Sequence, residues 1–253
     1  MEYFYLTDSG KVRDHNEDSV TIVRNNNDEH LLIVADGMGG HRAGEVASSI
    51  AITHLGKRFK ELGSVGSKEE AIDWLKDTVS EANILIYKYT EENPTSFGMG
   101  TTLVLCLKTK EYLLFGNIGD SSGFVFKNKK IHKITNDHTL VNLLVSSGEL
   151  TPEEAKDHPK KNVLMRALGA TTTVEMDVFV VEEEVDGVLL CSDGLTNMLD
   201  EEQISRVLNE NLSLEDKLKK LILKSNNRGG TDNISIACFL EDGDLKWLLK
   251  GKR

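Results

Sequence analysis

The chain is poor in residues that staple, span or break. Its 253 residues include three cysteines, three prolines and two tryptophans, and aromatic residues make up 6%. The cysteines, Cys106, Cys191 and Cys238, are odd in number and each lies inside an apolar, strand-like run. That pattern excludes a disulfide frame and reads as small buried hydrophobes in a reducing compartment. None is followed by five residues and an arginine, so the loop of a cysteine-dependent phosphatase is missing. No stretch approaches the ~20 apolar residues of a membrane helix. Met1-Glu2-Tyr3-Phe4-Tyr5 has neither the basic region nor the apolar core of a signal peptide. A cytoplasmic protein without membrane insertion is expected. Basic residues are also short, 30 against 41 acidic ones, a net charge of -11. A general nucleic-acid surface is therefore not expected. With few prolines, no repeat and no low-complexity tract, nothing divides the chain, and one domain is the simplest reading.

What the chain does have is acid at the ends of apolar strands. The run His30-Leu31-Leu32-Ile33-Val34-Ala35 enters Asp36-Gly37-Met38-Gly39-Gly40. Tyr112-Leu113-Leu114-Phe115 enters Gly116-Asn117-Ile118-Gly119-Asp120, and Val188-Leu189-Leu190-Cys191-Ser192 enters Asp193-Gly194. Asp232 opens onto Asn233-Ile234-Ser235-Ile236-Ala237, and Glu17-Asp18 opens onto Ser19-Val20-Thr21-Ile22-Val23. Carboxylates crowded at one end of a sheet repel unless a cation sits between them. The ion they suit is hard and oxygen-loving: magnesium, manganese or calcium. Glycine after Asp36 leaves its own carbonyl free to turn onto such an ion.

Around these acids the pattern predicts three strands, then two long helices. The first carries Ala43, Val46, Ala47, Ile50, Ala51, His54 and Leu55 at helical spacing. The second opens at Ser67 with Glu70 in the capping-box position and buries Trp74, Leu75, Ala82, Leu85 and Tyr89. Strands are predicted over 100–108, 111–118, 122–127, 130–134, 174–180 and 233–240. Asp200 with Gln203, and Ser213 with Asp216, start two further helices. Residues 137–168 read as a surface excursion, broken at Gly148, with a helix starting at Thr151-Pro152. Strand blocks alternating with helix pairs point to two packed sheets covered by helices.

Taken in order, the motifs run Arg13-Asp14-His15-Asn16-Glu17-Asp18, Asp36-Gly37-Met38-Gly39-Gly40-His41, Gly100-Thr101-Thr102, Gly119-Asp120-Ser121, Asn136-Asp137-His138, Ser192-Asp193-Gly194-Leu195 and Gly230-Thr231-Asp232-Asn233. This series resembles the metal-dependent serine/threonine protein phosphatases of type 2C in their compact bacterial form. The resemblance spans about residues 3 to 240. It implies an α+β fold, a four-layer α/β/β/α sandwich of two mostly antiparallel sheets flanked by helices. It implies a single domain over 1–242 with a flap at about 145–168, followed by a tail, 243–253. The implied activity is hydrolysis of phosphoserine and phosphothreonine monoesters by direct attack of a hydroxide bridging two ions. The implied metal ligands are Glu17, Asp36, Gly37, Asp193 and Asp232 for two manganese or magnesium ions, with Asp120 joining Asp193 at a third, weaker one. Arg13 is the expected grip on the phosphate, and Asp18 the holder of a metal-bound water. His41 stands as a proton donor to the leaving oxygen, since Met38 occupies the place where distant relatives carry histidine; helix capping is the other reading of His41. Ser122 departs from the arginine usual after Gly-Asp-Ser. Expected partners are phosphoproteins, including a serine/threonine kinase that the enzyme opposes, and the expected state is a monomer. A two-metal phosphodiesterase, a non-catalytic phosphoprotein binder, and a relative restricted to phosphorylated anti-sigma antagonists remain alternatives.

Overall fold

The computed structural model describes residues 1–40 and 43–241. His41 and the tail, 243–253, lie outside them. Strands β1 (Glu2–Asp8), β2 (Asp18–Arg24) and β3 (His30–Met38) come first. Helices α1 (Ala43–Glu61) and α2 (Lys68–Glu92) follow, and then strands β4 (Gly100–Thr101), β5 (Leu103–Lys108), β6 (Leu113–Ile118), β7 (Ser122–Lys127) and β8 (Lys130–Lys133). The second half holds α3 (Leu140–Ser146), α4 (Pro152–Lys156), β9 (Asp177–Val181), β10 (Gly187–Cys191), α5 (Asp193–Thr196), α6 (Glu201–Leu208), α7 (Leu214–Asn227) and β11 (Ile234–Leu240).

The strands form two sheets, one ordered β1-β11-β10-β7-β8 and the other β2-β3-β5-β6-β9, with β4 paired to β3. Every pairing is antiparallel. Alternation along each strand separates the interior into three cores. On β3, Leu31 and Ile33 face α1 and α2, while Leu32 and Val34 face the other sheet. On β11, Ile236 and Cys238 face α6 and α7, while Ala237 and Phe239 face the sheet that holds β3. The result is the α/β/β/α sandwich. Cys106, Cys191 and Cys238 are free and buried, and burial pushes all three thiols up. No helix among the described residues is long and apolar enough to cross a membrane.

Local signals set several helix starts. Ser67 and Glu70, Thr151 and Glu154, and Asp200 and Gln203 form reciprocal capping boxes, and Ser213 caps α7. The buried faces differ from the expected ones. In α1, Val46, Ile50 and His54 are half-buried, whereas Gly44, Ser48, Gly56 and Phe59 are buried. His54 is not a packed core residue: its Nε2 lies 2.9 Å from Glu81 Oε2 on α2. In α2, Leu85 is exposed and Ile86 buried, because the helix is rotated to put Thr78, Asn83 and Ile86 against the sheet. Strand β9 begins at Asp177 rather than 174, because its partner β6 pairs only as far as Asn117. The surface excursion is closed by a bridge between Thr139 and Leu164, so it leaves earlier than residue 145 and has returned by Leu168, which pairs with Thr101.

Candidate metal centre

The acids lie at the same end of both sheets because antiparallel strands deliver their ends there alternately. Asp18 opens β2 and pairs directly with Asp36 on β3. Asp120 sits in the turn from β6 to β7, Asp193 opens α5 just after β10, and Asp232 precedes β11. Arg13, Glu17, Asp36, Gly37, Asp120, Asp193 and Asp232 line one cavity of about 380 Å³, joined by Met38, Thr102, Asn162 and Leu164. Asp18 lies just behind them, 7% exposed.

Backbone contacts fix this arrangement. The Asp36 N–H donates to Thr102 Oγ1 at 3.0 Å, and the Asp36 carbonyl accepts from Thr101 Oγ1 at 3.0 Å and from the Thr102 N–H at 2.9 Å. The Gly37 N–H donates to the Glu17 carbonyl at 3.1 Å, and Ser48 Oγ donates to the same carbonyl at 2.7 Å. Gly37 crosses Gly44 so closely that an added Cβ would lie 2.2 Å from the Gly44 carbonyl oxygen. A side chain at Gly37 would wedge α1 away from β3. Asn233 holds the loop that carries Arg13 and Glu17. Its Nδ2 donates to the carbonyls of Ser9 at 3.0 Å and His15 at 2.9 Å, and its Oδ1 accepts the Glu17 N–H at 2.9 Å.

The electrostatics are those of uncompensated charge. Burial, then Asp18, Asp193, Asp120 and Asp232, raise the Asp36 carboxyl well above the ordinary range. Burial pushes Asp18 up to about 7, against the bond from Ser192 Oγ to its Oδ2 at 2.7 Å. Burial and then the charge of Asp193 push Asp120 up to about 7, and burial with Asp232 pushes Asp193 to about 6. Glu17 is raised too, chiefly by burial. Asp18 Oδ1 and Asp193 Oδ1 are buried without a hydrogen-bond partner. Arg13 brings positive charge, its Nη2 bonded to Asp232 Oδ2 at 2.8 Å.

The donor set suits a hard divalent ion. It is all oxygen, it carries excess negative charge, and it includes two buried carboxylate oxygens left over from the protein's own hydrogen bonding. Among the described residues no three Asp, Glu, His or Cys side chains already stand together as a complete cage. Arg13 occupies Asp232 instead, and magnesium or manganese fills its shell with water rather than demanding an all-protein cage.

The clustered acids can be read from sequence motifs; their supports are less legible. Ser192 stands inside a motif, but its bond to Asp18 spans 174 residues. Thr102, Ser48 and Asn233 act through contacts that no local pattern encodes. Asn162 and Leu164 reach the cavity from the excursion, with no sequence signal beyond their position there.

The chain is similar to known proteins along nearly its whole length. The pattern defining the Protein phosphatase 2C family matches residues 10–232. Serine/threonine phosphatase stp of Listeria welshimeri is 43% identical over 237 residues, which is 93% of this chain and 94% of the relative. The crystal structure of serine/threonine phosphatase Stp1 from Staphylococcus aureus superposes with a TM-score of 0.90 at 36% identity, covering 96% of this chain and 95% of that one. The catalytic domain of serine threonine protein phosphatase PstP, solved in complex with two manganese ions, superposes with a TM-score of 0.82 at 34% identity, covering 95% and 98%.

Proposed function

As a member of the protein phosphatase 2C family, the chain is a metal-dependent protein-serine/threonine phosphatase acting on phosphoproteins, and from that premise we propose the part each residue plays. Asp36, Asp193 and Asp232 would hold one ion, and Glu17, Asp36 and the Gly37 carbonyl would hold a second. Asp120, with Asp193, would hold a third and weaker one. When bound, divalent ions at this place neutralise the acids, draw charge from the phosphoryl oxygens and activate water for attack on phosphorus.

The observation that carries this assignment is the pair of orphaned buried oxygens, on Asp18 and Asp193, at the edge of a cavity crowded with raised carboxyls. Arg13 exchanges partners. Its guanidinium leaves Asp232 to grip two phosphate oxygens, which frees Asp232 Oδ2 as an oxygen donor. Asp18, pinned by Ser192, keeps Oδ1 to accept from water in the cavity and so orients it. Asp120 orders the side from which the leaving seryl or threonyl oxygen takes its proton.

The chain has no cysteine in this cavity, so no thiol nucleophile enters the assignment. The enzyme works as a cytoplasmic monomer on phosphoproteins that include a serine/threonine kinase. Turnover of a phosphothreonine peptide, with manganese or magnesium titrated into chelated enzyme from zero, tests the reading. Activity should be absent at zero and rise with the ion; full turnover in excess chelator after exhaustive stripping would sink it. Comparison with a phosphodiester separates it from a two-metal phosphodiesterase.

A further inference from the structure

The neck of the excursion is closed by contacts that the assignment above leaves unused. The Leu140 N–H donates to the Val163 carbonyl at 2.9 Å, and the Met165 N–H to the His138 carbonyl at 2.8 Å. Beside these, both arms reach one carboxylate. His138 Nε2 on the departing arm lies 3.1 Å from Asp177 Oδ2, and Arg166 Nη1 on the returning arm lies 2.7 Å from Asp177 Oδ1. The pair with His138 and Arg166 lowers the Asp177 carboxyl despite its burial.

The other edge of the same imidazole faces the turn that carries Asp120. The Gly119 N–H donates to His138 Nδ1 at 3.2 Å, and the His138 N–H donates back to the Gly119 carbonyl at 2.9 Å. An acceptor at Nδ1 places the ring proton on Nε2, directed at Asp177, so the carboxylate selects the tautomer that Gly119 needs. The His138 side chain is 8% exposed, so water is a poor substitute for either contact. Gly119 sits at φ 98°, and an added Cβ would come within 2.7 Å of Thr102 Cγ2. Its turn is thus tightly packed, and the next residue is Asp120.

We propose that His138, held by Asp177 and Arg166, is a positioning residue that sets Asp120 at the cavity and ties that setting to the neck of the excursion. The proposal rests on the reading of Asp120 as a working residue of the site. A phosphoprotein that moves the excursion moves Arg166 and the chain at His138 with it, and so acts on the turn that carries Asp120.

Two substitutions divide the imidazole's contacts. His138→Asn keeps an acceptor near the Nδ1 place and gives up the contact to Asp177. His138→Gln keeps a donor near the Nε2 place and gives up the acceptor for Gly119. His138→Gln should lower kcat on a phosphothreonine peptide about 10- to 100-fold, with little change in KM and in tight manganese binding by calorimetry. It should hit an aryl phosphate less, as Asp120→Ala should, and add no further loss in the double variant. Hydrogen exchange at the Gly119 amide should speed up, and His138→Asn should recover most of both effects. A His138→Gln enzyme with full kcat, or a loss that multiplies with that of Asp120→Ala, overturns the proposal. A harmless Asp120→Ala would instead overturn the role assigned to Asp120 above. Even in an inactive protein, unchanged Gly119 exchange in His138→Gln would rule out the clamp.

Discussion

Each end of β3 gathers acid shielded from water, Glu29 at one and Asp36 with its buried cross-strand neighbour Asp18 at the other, and the two ends treat it in opposite ways. Glu29, just before the strand, accepts from Asn25 Nδ2 at 2.6 Å, Asn27 Nδ2 at 2.9 Å, Ser64 Oγ at 3.2 Å and the Val65 N–H at 3.0 Å. Its carboxylate is a joint between the β2–β3 turn and the loop joining α1 to α2. At the far end, Asp36 faces other carboxylates, and its neighbour Asp18 keeps a buried oxygen with no partner. Burial is common to both ends and therefore does not mark the site. What marks it is whether the protein's own donors satisfy the acid. An acid already satisfied holds structure together, and one left wanting is ready for an ion.

The largest test of this contrast is on chemistry. Asp36→Ala should cut turnover on a phosphopeptide on the order of 10³-fold or more, and Glu29→Ala should leave turnover of the folded enzyme near that of the parent. Loss of activity in both at a temperature where both are folded would erase the distinction.

On stability the ranking reverses. Glu29→Ala strands the Val65 N–H and the Asn25 amide, and should cost about 2–4 kcal/mol, a fall of roughly 4–16 °C in melting temperature. Asp36→Asn, measured without metal, should instead raise the melting temperature, because it removes a repelled charge. A fall in that variant would show that the acid cluster is not strained.

Arg13→Ala should act more mildly. It deletes one charge-assisted phosphate contact, so KM for a phosphopeptide should rise roughly tenfold with manganese affinity nearly unchanged. An unaltered KM would leave Arg13 as no more than the partner of Asp232.

The smallest effect is a slope with pH. Folded Asp18 and Asp120 titrate near 7 and Asp193 near 6, above the ordinary carboxyl range. A carboxyl raised by folding carries no penalty while protonated in both states and gains one as pH rises toward its folded value. Metal-free protein should therefore lose stability from about pH 4 to pH 7 through these groups. Asp36→Asn and saturating manganese should each flatten that part of the melting curve. A slope indifferent to both would assign it to groups elsewhere.

Much of this was legible in the chain because it is written locally. An acid-glycine pair after an apolar run marks a strand end, and Ser67 with Glu70 marks a helix start. The fold class followed from strand blocks alternating with helices, and the structure has those layers. The rest depends on distance along the chain. Leu85 and Ile86 are equally apolar, and only the packed sheet decides which is buried. The motif around Arg13 points to phosphate and says nothing of its partner in the fold, Asp232, which stands 219 residues away. The contacts of His138 with Gly119, Asp177 and Arg166 need three separate segments in place before they exist.

The register of the first hairpin has a consequence for how the molecule is made. Asp18 and Asp36 are direct cross-strand neighbours, and like charges so placed weaken a strand pair. The hydroxyl that steadies Asp18 belongs to Ser192. Synthesis delivers the hairpin early and Ser192 much later. A nascent chain thus carries its opening hairpin in tension until β10 and α5 have docked, and no early fragment can assemble a working ion site. The delay should be visible in vitro: metal-free Asp36→Asn should refold faster than the parent in stopped-flow experiments, and equal rates would place the hairpin after the slow step.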